Sequence, residues 1–199
     1  MCSSDLVMGD EADKAKVEFR LLDQQIHRIS QIVTKLLQFA RPEEYAGYVE
    51  RHAPGSVVAD CLPLVQHLLN KTEIGVVRED QASRLVLMNR TELQQVVINL
   101  IVNAIHAMPD GGSLTLRSCD ADRDGVPGIV IEVADTGIGI GADVVEKVFD
   151  PFFTTKRRDG TGLGLSISQT LIKRQGGQIT AESEIGRGST FRVWLPEAD

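Results

Sequence analysis

Two asparagines, Asn99 and Asn103, lie four residues apart in a segment that is otherwise mostly apolar. Residues at this spacing share one side of an α-helix, so the two amides would lie next to each other. An amide oxygen can coordinate a hard cation such as Mg²⁺ without adding negative charge. His106 lies on the same flank of the predicted helix. The pair suggests a cation site, although asparagines at a helix edge are also often simply solvated.

A carboxylate followed by two glycines stands at the end of a predicted strand: Asp135, Gly137 and Gly139. A carboxylate in this place can accept a hydrogen bond from an exocyclic amine of a ligand. The glycines permit positive φ angles and let a ligand approach the backbone closely. Taken alone, the same residues also fit an ordinary glycine turn.

A second glycine-rich segment leads into a predicted helix and comprises Gly160, Thr161, Gly162, Leu163, Gly164 and Leu165. Glycines before a helix N-terminus expose backbone amides that bind phosphate. The segment is not a Walker loop, because no Lys-Ser or Lys-Thr pair follows its glycines. It is not a dinucleotide fingerprint either, because no strand feeds directly into the helix. It indicates a phosphate site of unspecified kind.

The chain between the two glycine-rich segments combines aromatic, hydroxyl and basic side chains in Phe152, Phe153, Thr154, Thr155 and Lys156. We expect the two phenylalanines to anchor a loop that acts as a lid, with Lys156 reaching an anionic phosphate. A loop that the phenylalanines simply fix to the core is compatible with the same pattern.

The elements that position these residues predict a two-layer α/β sandwich, with a mixed sheet and helices on one face. Apolar periodicity predicts helices at Ser56–Asn70, Thr91–Met108 and Leu163–Gln175. Thr91 and Gln94 have the spacing of an N-terminal capping box. The predicted strands are Ile74–Val77, Arg84–Met88, Leu114–Ser118, Ile129–Val133, Gln178–Glu182 and Thr190–Leu195.

The first forty residues predict one long helix with a heptad pattern. A face of this kind needs a partner, and pairing with a second chain is favoured over packing on the same chain's own domain. The apolar or small residues recur in steps of three and four, at Ala12, Ala15, Phe19, Leu22, Ile26, Ile29, Val33, Leu36 and Ala40.

Composition argues against several classes of function. A net charge of −7 gives no general attraction to nucleic acid or anionic lipid. No apolar run approaches the roughly 18 residues of a membrane span, and the first residues lack the order of a signal peptide. The three scattered cysteines indicate thiols in a reducing compartment. We expect a cytoplasmic chain that contacts neither nucleic acid nor membrane.

In their order along the chain, five motifs resemble the N, G1, F, G2 and G3 boxes of sensor histidine kinases. These kinases share an ATP-binding superfamily with Hsp90, gyrase B and MutL. The Phe-Phe-Thr-Thr-Lys form is similar to the nitrogen-regulation and dicarboxylate-sensing subgroup, and residues 36–42 are similar to the end of a second dimerisation helix. The motifs, which span about Arg90 to Pro196, are Asn-x-x-x-Asn, Asp-x-Gly-x-Gly, Pro-Phe-Phe-Thr-Thr-Lys, Gly-Thr-Gly-Leu-Gly-Leu and Gly-x-Gly-Ser-x-Phe.

The resemblance implies roles for these residues in binding ATP and Mg²⁺. Asn103 would coordinate Mg²⁺, and Asn99 and Lys156 would act beside it in catalysis. Asp135 would bind the adenine amino group. The other implied nucleotide contacts are His106, Ala107, Gly137, Gly139, Thr154, Thr155, Gly160, Thr161, Gly162, Leu163, Gly164, Leu165 and Thr190.

Two departures from the superfamily pattern bear on the reaction. In the relatives that hydrolyse ATP, a glutamate stands at the position of Asn99, whereas a neutral amide is a poor general base. Asn99 therefore favours phosphoryl transfer over hydrolysis. These kinases also carry their acceptor histidine in a His-Glu-x-x-x-Pro box. The four histidines of this chain are His27, His52, His67 and His106, and none of them is followed by an acidic residue.

The resemblance thus implies a protein-histidine kinase fragment that binds Mg-ATP and donates the γ-phosphoryl group to a histidine outside the chain. We expect a partial dimerisation helix (1–41) that begins near the hairpin after the first such helix, a linker (42–55) and an ATP-binding catalytic domain (56–199). The expected partners are a second copy, through the N-terminal helix, and the receiver domain of a response regulator. The parent protein would be cytoplasmic or anchored in an inner membrane. The alternatives are a non-catalytic nucleotide-binding or docking module, a superfamily ATPase, and an anti-sigma-type serine kinase.

Overall fold

A computed structural model describes residues 48–154 and 161–198, together with nine residues between positions 18 and 33. The chain divides into two units, Met1–Arg41 and Pro42–Asp199. The nine described residues of the first unit are all helical and exposed, which agrees with the expected helix. They include five of the heptad positions, Phe19, Leu22, Ile26, Ile29 and Val33. Ala12, Ala15, Leu36 and Ala40 lie outside the described residues.

The second unit is built on a mixed sheet, as the sequence predicts, but this sheet has five strands, because the predicted strand Arg84–Met88 belongs to a separate ribbon. Its strand order is β2-β4-β5-β7-β6, with β2 parallel to β4 and every other pair antiparallel. A separate pair, β1 and β3, forms a small antiparallel ribbon. The strands are β1 Glu50–His52, β2 Ile74–Asp80, β3 Val86–Met88, β4 Gly112–Asp120, β5 Gly128–Asp135, β6 Gln178–Glu184 and β7 Gly188–Pro196. The helices are α1 Pro54–Leu69, α2 Arg90–Ala107, α3 Ala142–Val145 and α4 Gly164–Arg174.

One face of the sheet carries the apolar core and is covered by helices. Side chains alternate between the two faces of a strand, and every second residue of β5 and β7 is buried, as at Ile131 and Val193. The helix α2 packs against β5 and also contacts α1 and α4. Its apolar stripe, which includes Leu93, Leu100 and Ile101, is fully buried. The residues of α2 that face away from this stripe are therefore held in fixed positions.

The opposite face of the sheet is polar and carries a row of alternating charges. Arg117 bonds Glu79 at 2.7 Å and Glu132 at 2.8 Å. Arg192 bonds Glu132 and Glu182, each at 2.7 Å. The row crosses all five strands, so this face keeps a charged surface that needs no covering layer. No helix in the described part of the chain is long and apolar enough to cross a membrane.

The N-terminus of α2 differs from the sequence-based prediction. The capping residue is Asn89, whose side-chain oxygen accepts a hydrogen bond of 3.1 Å from the Glu92 amide. Thr91 is an exposed residue inside the first turn. Glu92 is buried and pairs with Arg174 at the end of α4, which ties the two helices together. The Thr91–Gln94 capping box is thus wrong by two residues, because Asn89 is an equally good cap and lies at the true boundary.

Three further differences lie in the connections. The strand β1 and the first residues of α1 fall inside the stretch expected to be a linker. Pro54 occupies the first turn of α1, where its missing amide hydrogen is tolerated, and Pro63 lies inside the same helix. The four-residue helix α3 was not expected. The strand β1 and the helix α3 are too short to leave a periodic pattern of apolar residues in the sequence.

We expect the Asn89→Ala variant to lower the free energy of unfolding by about 1 kcal/mol, because the Glu92 amide loses its cap. Asn89→Asp retains a cap oxygen and should be close to the parent chain. Thr91→Ala, two residues away, should change stability little. Urea unfolding of the three variants measures the effect, and a larger loss from Thr91→Ala than from Asn89→Ala would restore the predicted capping box.

Candidate functional site

Asp135, the last residue of β5, lies on the helix-covered face of the sheet and is 7% exposed. Its Oδ1 accepts a hydrogen bond of 2.8 Å from the Gly137 amide. Burial raises the pKa of this carboxyl, although hydrogen bonds from the backbone of Gly137 and Ser189 act in the opposite direction. A carboxylate offers about four acceptor sites, so Asp135 retains capacity for a ligand donor.

The loop after Asp135 lies directly against the C-terminus of α2. The Ile138 amide donates to the Ala107 carbonyl oxygen at 2.9 Å. A Cβ built on Gly137 would lie 2.3 Å from that same oxygen, so only glycine fits there. The last turn of α2, with Ala107 half-buried and His106 exposed, is thereby fixed beside Asp135.

The turn between β6 and β7 closes the other side of this loop. A Cβ on Gly139 would lie 2.0 Å from the Glu184 carbonyl oxygen. The Ile140 amide donates to Ser183 Oγ at 2.7 Å, and the Gly186 amide donates to the Ile138 carbonyl at 2.8 Å. Two backbone segments thus hold the loop, which leaves Asp135 little freedom to move away from the site.

A second cluster joins α2 to the N-terminus of α4. Asn99 Nδ2 donates to Ser168 Oγ at 3.1 Å. A Cβ on Gly164, the first residue of α4, would lie 2.3 Å from Asn99 Oδ1. The glycine-rich segment and the first asparagine, which are separate motifs in the sequence, are therefore in contact.

The described part of the glycine-rich segment fits an anionic group. No described side chain caps α4, whose N-cap residue is the buried Leu163. Gly162 has a φ of +66°, and a Cβ there would lie 2.3 Å from the backbone of Phe152. Its carbonyl accepts from the Phe152 amide at 2.9 Å. Backbone amides at such a helix start are suited to bind phosphate oxygens.

The segment before the second glycine motif is anchored differently from the prediction. Phe152 is 61% exposed, so its ring does not anchor the loop in the core. Phe153 is half-buried, and Phe149, four residues earlier, packs edge-on against Phe191 with ring centroids 6.4 Å apart. Thr154 is exposed. Thr155, Lys156 and Gly160 lie outside the described residues.

Asn103 lies one turn beyond Asn99 on α2, as the spacing requires. Thr161 and Leu165, on either side of the α4 N-terminus, are half-buried. No group of three His, Cys, Asp or Glu side chains suited to a metal ion occurs in the described part of the chain. A side-chain amide such as that of Asn103 offers an oxygen ligand of the kind that Mg²⁺ accepts.

Thr190 does not join Asp135. It lies on the open face of β7, beside Ala134 of β5, whereas Asp135 faces the helices. The residue paired with Asp135 is Ser189, which is 5% exposed. The hydroxyl oxygens of Ser189 and Ser183 are 2.9 Å apart and form a hydrogen bond. Period-two alternation identifies Ser189 without a structure, since buried Phe191 lies on the same side of the strand.

The arrangement combines a buried hydrogen-bond acceptor at one end with an uncapped helix start at the other, and α2 joins the two. Ala107 and Asn99 are eight residues apart, so the two ends are separated by about 12 Å along the helix axis. An acceptor for an amine and a cradle for phosphate, so spaced, can hold the two ends of one elongated ligand.

Comparisons with known proteins agree with this geometry. The sequence profile of the family described as histidine kinase-, DNA gyrase B-, and HSP90-like ATPase matches residues 88–199. Sensor kinase CckA of Brucella abortus is 38% identical over 98% of the chain, which corresponds to 22% of that protein. Sporulation kinase E of Bacillus subtilis is 32% identical over 96% of the chain and 25% of that protein. The chain thus spans about a quarter of the length of these curated relatives.

Solved structures show the same fold. The nucleotide-free catalytic domain of histidine kinase ThkA is 29% identical and superimposes with a TM-score of 0.67, covering 76% of this chain and 97% of that one. Full-length ShkA in complex with AMPPNP is 25% identical with a TM-score of 0.73, covering 86% of this chain and 36% of that one.

The histidine-kinase resemblance of the five motifs is confirmed by these matches, and so is the mixed α/β fold. The profile covers more than half of the chain and includes both clusters of the site, from Asn99 to Ser189. The chain belongs to the family of histidine kinase-, DNA gyrase B- and HSP90-like ATPases.

Proposed function

We propose that the site binds Mg-ATP and that the chain is the phosphoryl-donating part of a sensor histidine kinase. The observation that carries the proposal is the double attachment of α2. Its C-terminal end is bonded to the loop after Asp135, and its middle, at Asn99, contacts the start of α4. One rigid helix thus fixes the distance between an amine acceptor and a phosphate cradle.

At the first end, Asp135 would accept a hydrogen bond from the adenine amino group. The carboxylate is buried but satisfied by only two backbone donors, which leaves acceptor sites for the base. Gly137 and Gly139 would shape the pocket by letting the backbone of Ala107 and Glu184 approach the loop closely. Ser189, rather than Thr190, would complete the pocket, because it is the residue of β7 paired with Asp135 on this face.

At the other end, the amides near Thr161, Gly162, Leu163, Gly164 and Leu165 would hold the phosphates at the start of α4. Asn103 would contribute an oxygen to Mg²⁺, and Thr155, Lys156 and Gly160 would complete the phosphate contacts. When bound, Mg²⁺ would offset the negative charge of the phosphates in a protein of net charge −7. The chain itself mainly orients the nucleotide.

The chemistry we propose is transfer of the γ-phosphoryl group to a histidine. Asn99 is a poor general base for activating water, so the site is poorly equipped for steady hydrolysis. Both curated relatives described above are named as kinases. The acceptor would lie outside this chain: His52 is buried, and no histidine of the chain is followed by an acidic residue.

Two protein partners follow from the same proposal. A structure of ThkA in complex with the response regulator TrrA, 27% identical to this chain, has a TM-score of 0.68 and covers 89% of this chain and 50% of that one. A receiver domain of a response regulator is the equivalent partner here. A second copy would pair through the exposed heptad residues of the N-terminal helix, such as Phe19 and Ile26. We assign the site to the cytoplasmic side of the parent protein.

Incubation of the parent kinase with γ-labelled ATP and Mg²⁺ tests the proposed transfer. We expect an acid-labile, base-stable phosphohistidine outside this chain, and no label on the chain alone. Asp135→Asn should abolish most of the labelling, because one acceptor oxygen of the carboxylate is replaced by an amide NH₂ group, which can only donate. Asp124→Asn is the matched control, since Asp124 lies in the exposed turn between β4 and β5.

A phosphohistidine formed on the isolated chain would refute the assignment of the acceptor. Full labelling by the Asp135→Asn parent would refute the adenine contact, and sustained release of inorganic phosphate without a labelled histidine would favour an ATPase.

The raised pKa of Asp135 gives a second, ligand-free prediction. A carboxyl whose folded-state pKa lies above its unfolded value stabilises the fold at low pH and loses that contribution as pH rises through the folded pKa. The stability of Asp135→Asn relative to the parent chain should therefore increase as pH rises from about 4 to 7. Urea unfolding at several pH values measures it, with Asp124→Asn as control. A difference that is independent of pH, or that falls with rising pH, would contradict the burial of an ionised Asp135.

A further inference from the structure

Ser168 lies in the second turn of α4, is 2% exposed and hydrogen-bonds both Asn99 of α2 and Gly164 at the start of α4. We propose that Ser168 is a positioning residue that fixes the side-chain amide of Asn99 with its oxygen toward the phosphate cradle. The inference rests on the proposed function, since it concerns how the same site favours Mg-ATP over free ATP.

The hydrogen bonds of Ser168 determine which end of the amide it faces. Its hydroxyl donates to the Gly164 carbonyl at 3.0 Å. A serine hydroxyl has a single hydrogen, so it can only accept from any other partner. Asn99 must therefore present its NH₂ group to Ser168, which is the arrangement found, at 3.1 Å. The opposite orientation would place two acceptors against each other.

The oxygen of the Asn99 amide lies beside Gly164, the first residue of α4. The atom nearest to the Cβ position of Gly164 is Asn99 Oδ1, at 2.3 Å, while Nδ2 is 3.1 Å away. Gly164 begins α4, and Ser168 lies one turn further along the same helix. The Asn99 amide thus lies along the first turn of α4, with its nitrogen next to Ser168 and its oxygen next to Gly164.

This orientation decides what Asn99 offers a bound nucleotide. The oxygen is an acceptor that can take a hydrogen bond from a water on Mg²⁺ or coordinate the cation itself. A rotated amide would present NH₂ donors, which suit phosphate oxygens without a cation. Ser168 therefore biases the site toward the magnesium complex of the nucleotide.

The helix itself does not explain this contact. Ser166 is also buried, at 4% exposure, and its hydroxyl donates at 3.0 Å to the Leu163 carbonyl within the same chain segment. It has no hydrogen bond to α2 among the described residues. Ser166→Ala removes a buried hydroxyl from the same helix and is the matched control for Ser168→Ala.

The test is the affinity of the whole chain for ATP, measured by calorimetry both with Mg²⁺ and with EDTA. The variants are Ser168→Ala, Asn99→Ala, the double variant and Ser166→Ala, each first checked for a folded state by thermal melting. We expect Ser168→Ala to weaken binding roughly threefold to tenfold with Mg²⁺ and little in EDTA. In the Asn99→Ala background, the same substitution should have no further effect. Ser166→Ala should leave both affinities unchanged.

An equal loss with and without Mg²⁺ would overturn the inference, as would additive effects of Ser168→Ala and Asn99→Ala. A loss of the same size from Ser166→Ala would show that Ser168 only supports the helix. If the parent chain binds no ATP in either medium, both this inference and the proposed function fail, whereas normal binding with an unchanged Ser168→Ala variant contradicts the inference alone.

Discussion

The hydrogen bond from the Ile138 amide to the Ala107 carbonyl joins the end of α2 to the loop that leaves the sheet at Asp135. Because Gly137 lacks a Cβ, the two backbones approach closely enough to form it. The site depends on this contact. It fixes the position of α2 along its own axis relative to β5. It therefore also fixes the distance from Asp135 to the earlier residues of the helix, including Asn103 and Asn99. A side chain at position 137 would separate the two halves of the site.

Burial of Asp135 opposes the stability of the ligand-free fold. The pKa of the carboxyl is raised because the helices remove it from water, and two backbone amides offset this only in part. Carboxyl groups with pKa values perturbed by burial cluster at functional sites. The contrast with Glu132, three residues earlier on β5, is informative: that carboxylate is on the open face and is bonded by two arginines.

Much of the fold and the site was readable from the sequence. The apolar stripe of α2 and the alternation in β5 and β7 gave the helices and strands to within a few residues. The order of the glycine and asparagine motifs indicated the family, and Asp135 and Asn99 lie in the two clusters of the candidate site. These signals are local or periodic, which is why a single chain carries them clearly.

What could not be predicted depends on partners distant in the chain. Asn89 and Thr91 were both acceptable caps, and only the true start of α2 decides between them. The contact between Asn99 and Ser168 joins residues 69 positions apart, with no motif to mark Ser168. Thr190 is a different case: the period-two alternation that places Ser189, and not Thr190, on the same face of the sheet as Asp135 was already present in the sequence. The strand β1 is too short for a pattern and forms by pairing with β3.

The relative affinity of the chain for ATP and ITP, each with Mg²⁺, tests the central claim most directly. The two nucleotides share ribose and phosphates but differ at the six-position of the purine, where ITP carries an oxygen in place of the amino group. If Asp135 accepts from that amino group, ATP should bind at least about tenfold more tightly, because a carboxylate facing an oxygen has no donor. Equal affinities for ATP and ITP would show that Asp135 does not accept a hydrogen bond from the adenine amino group.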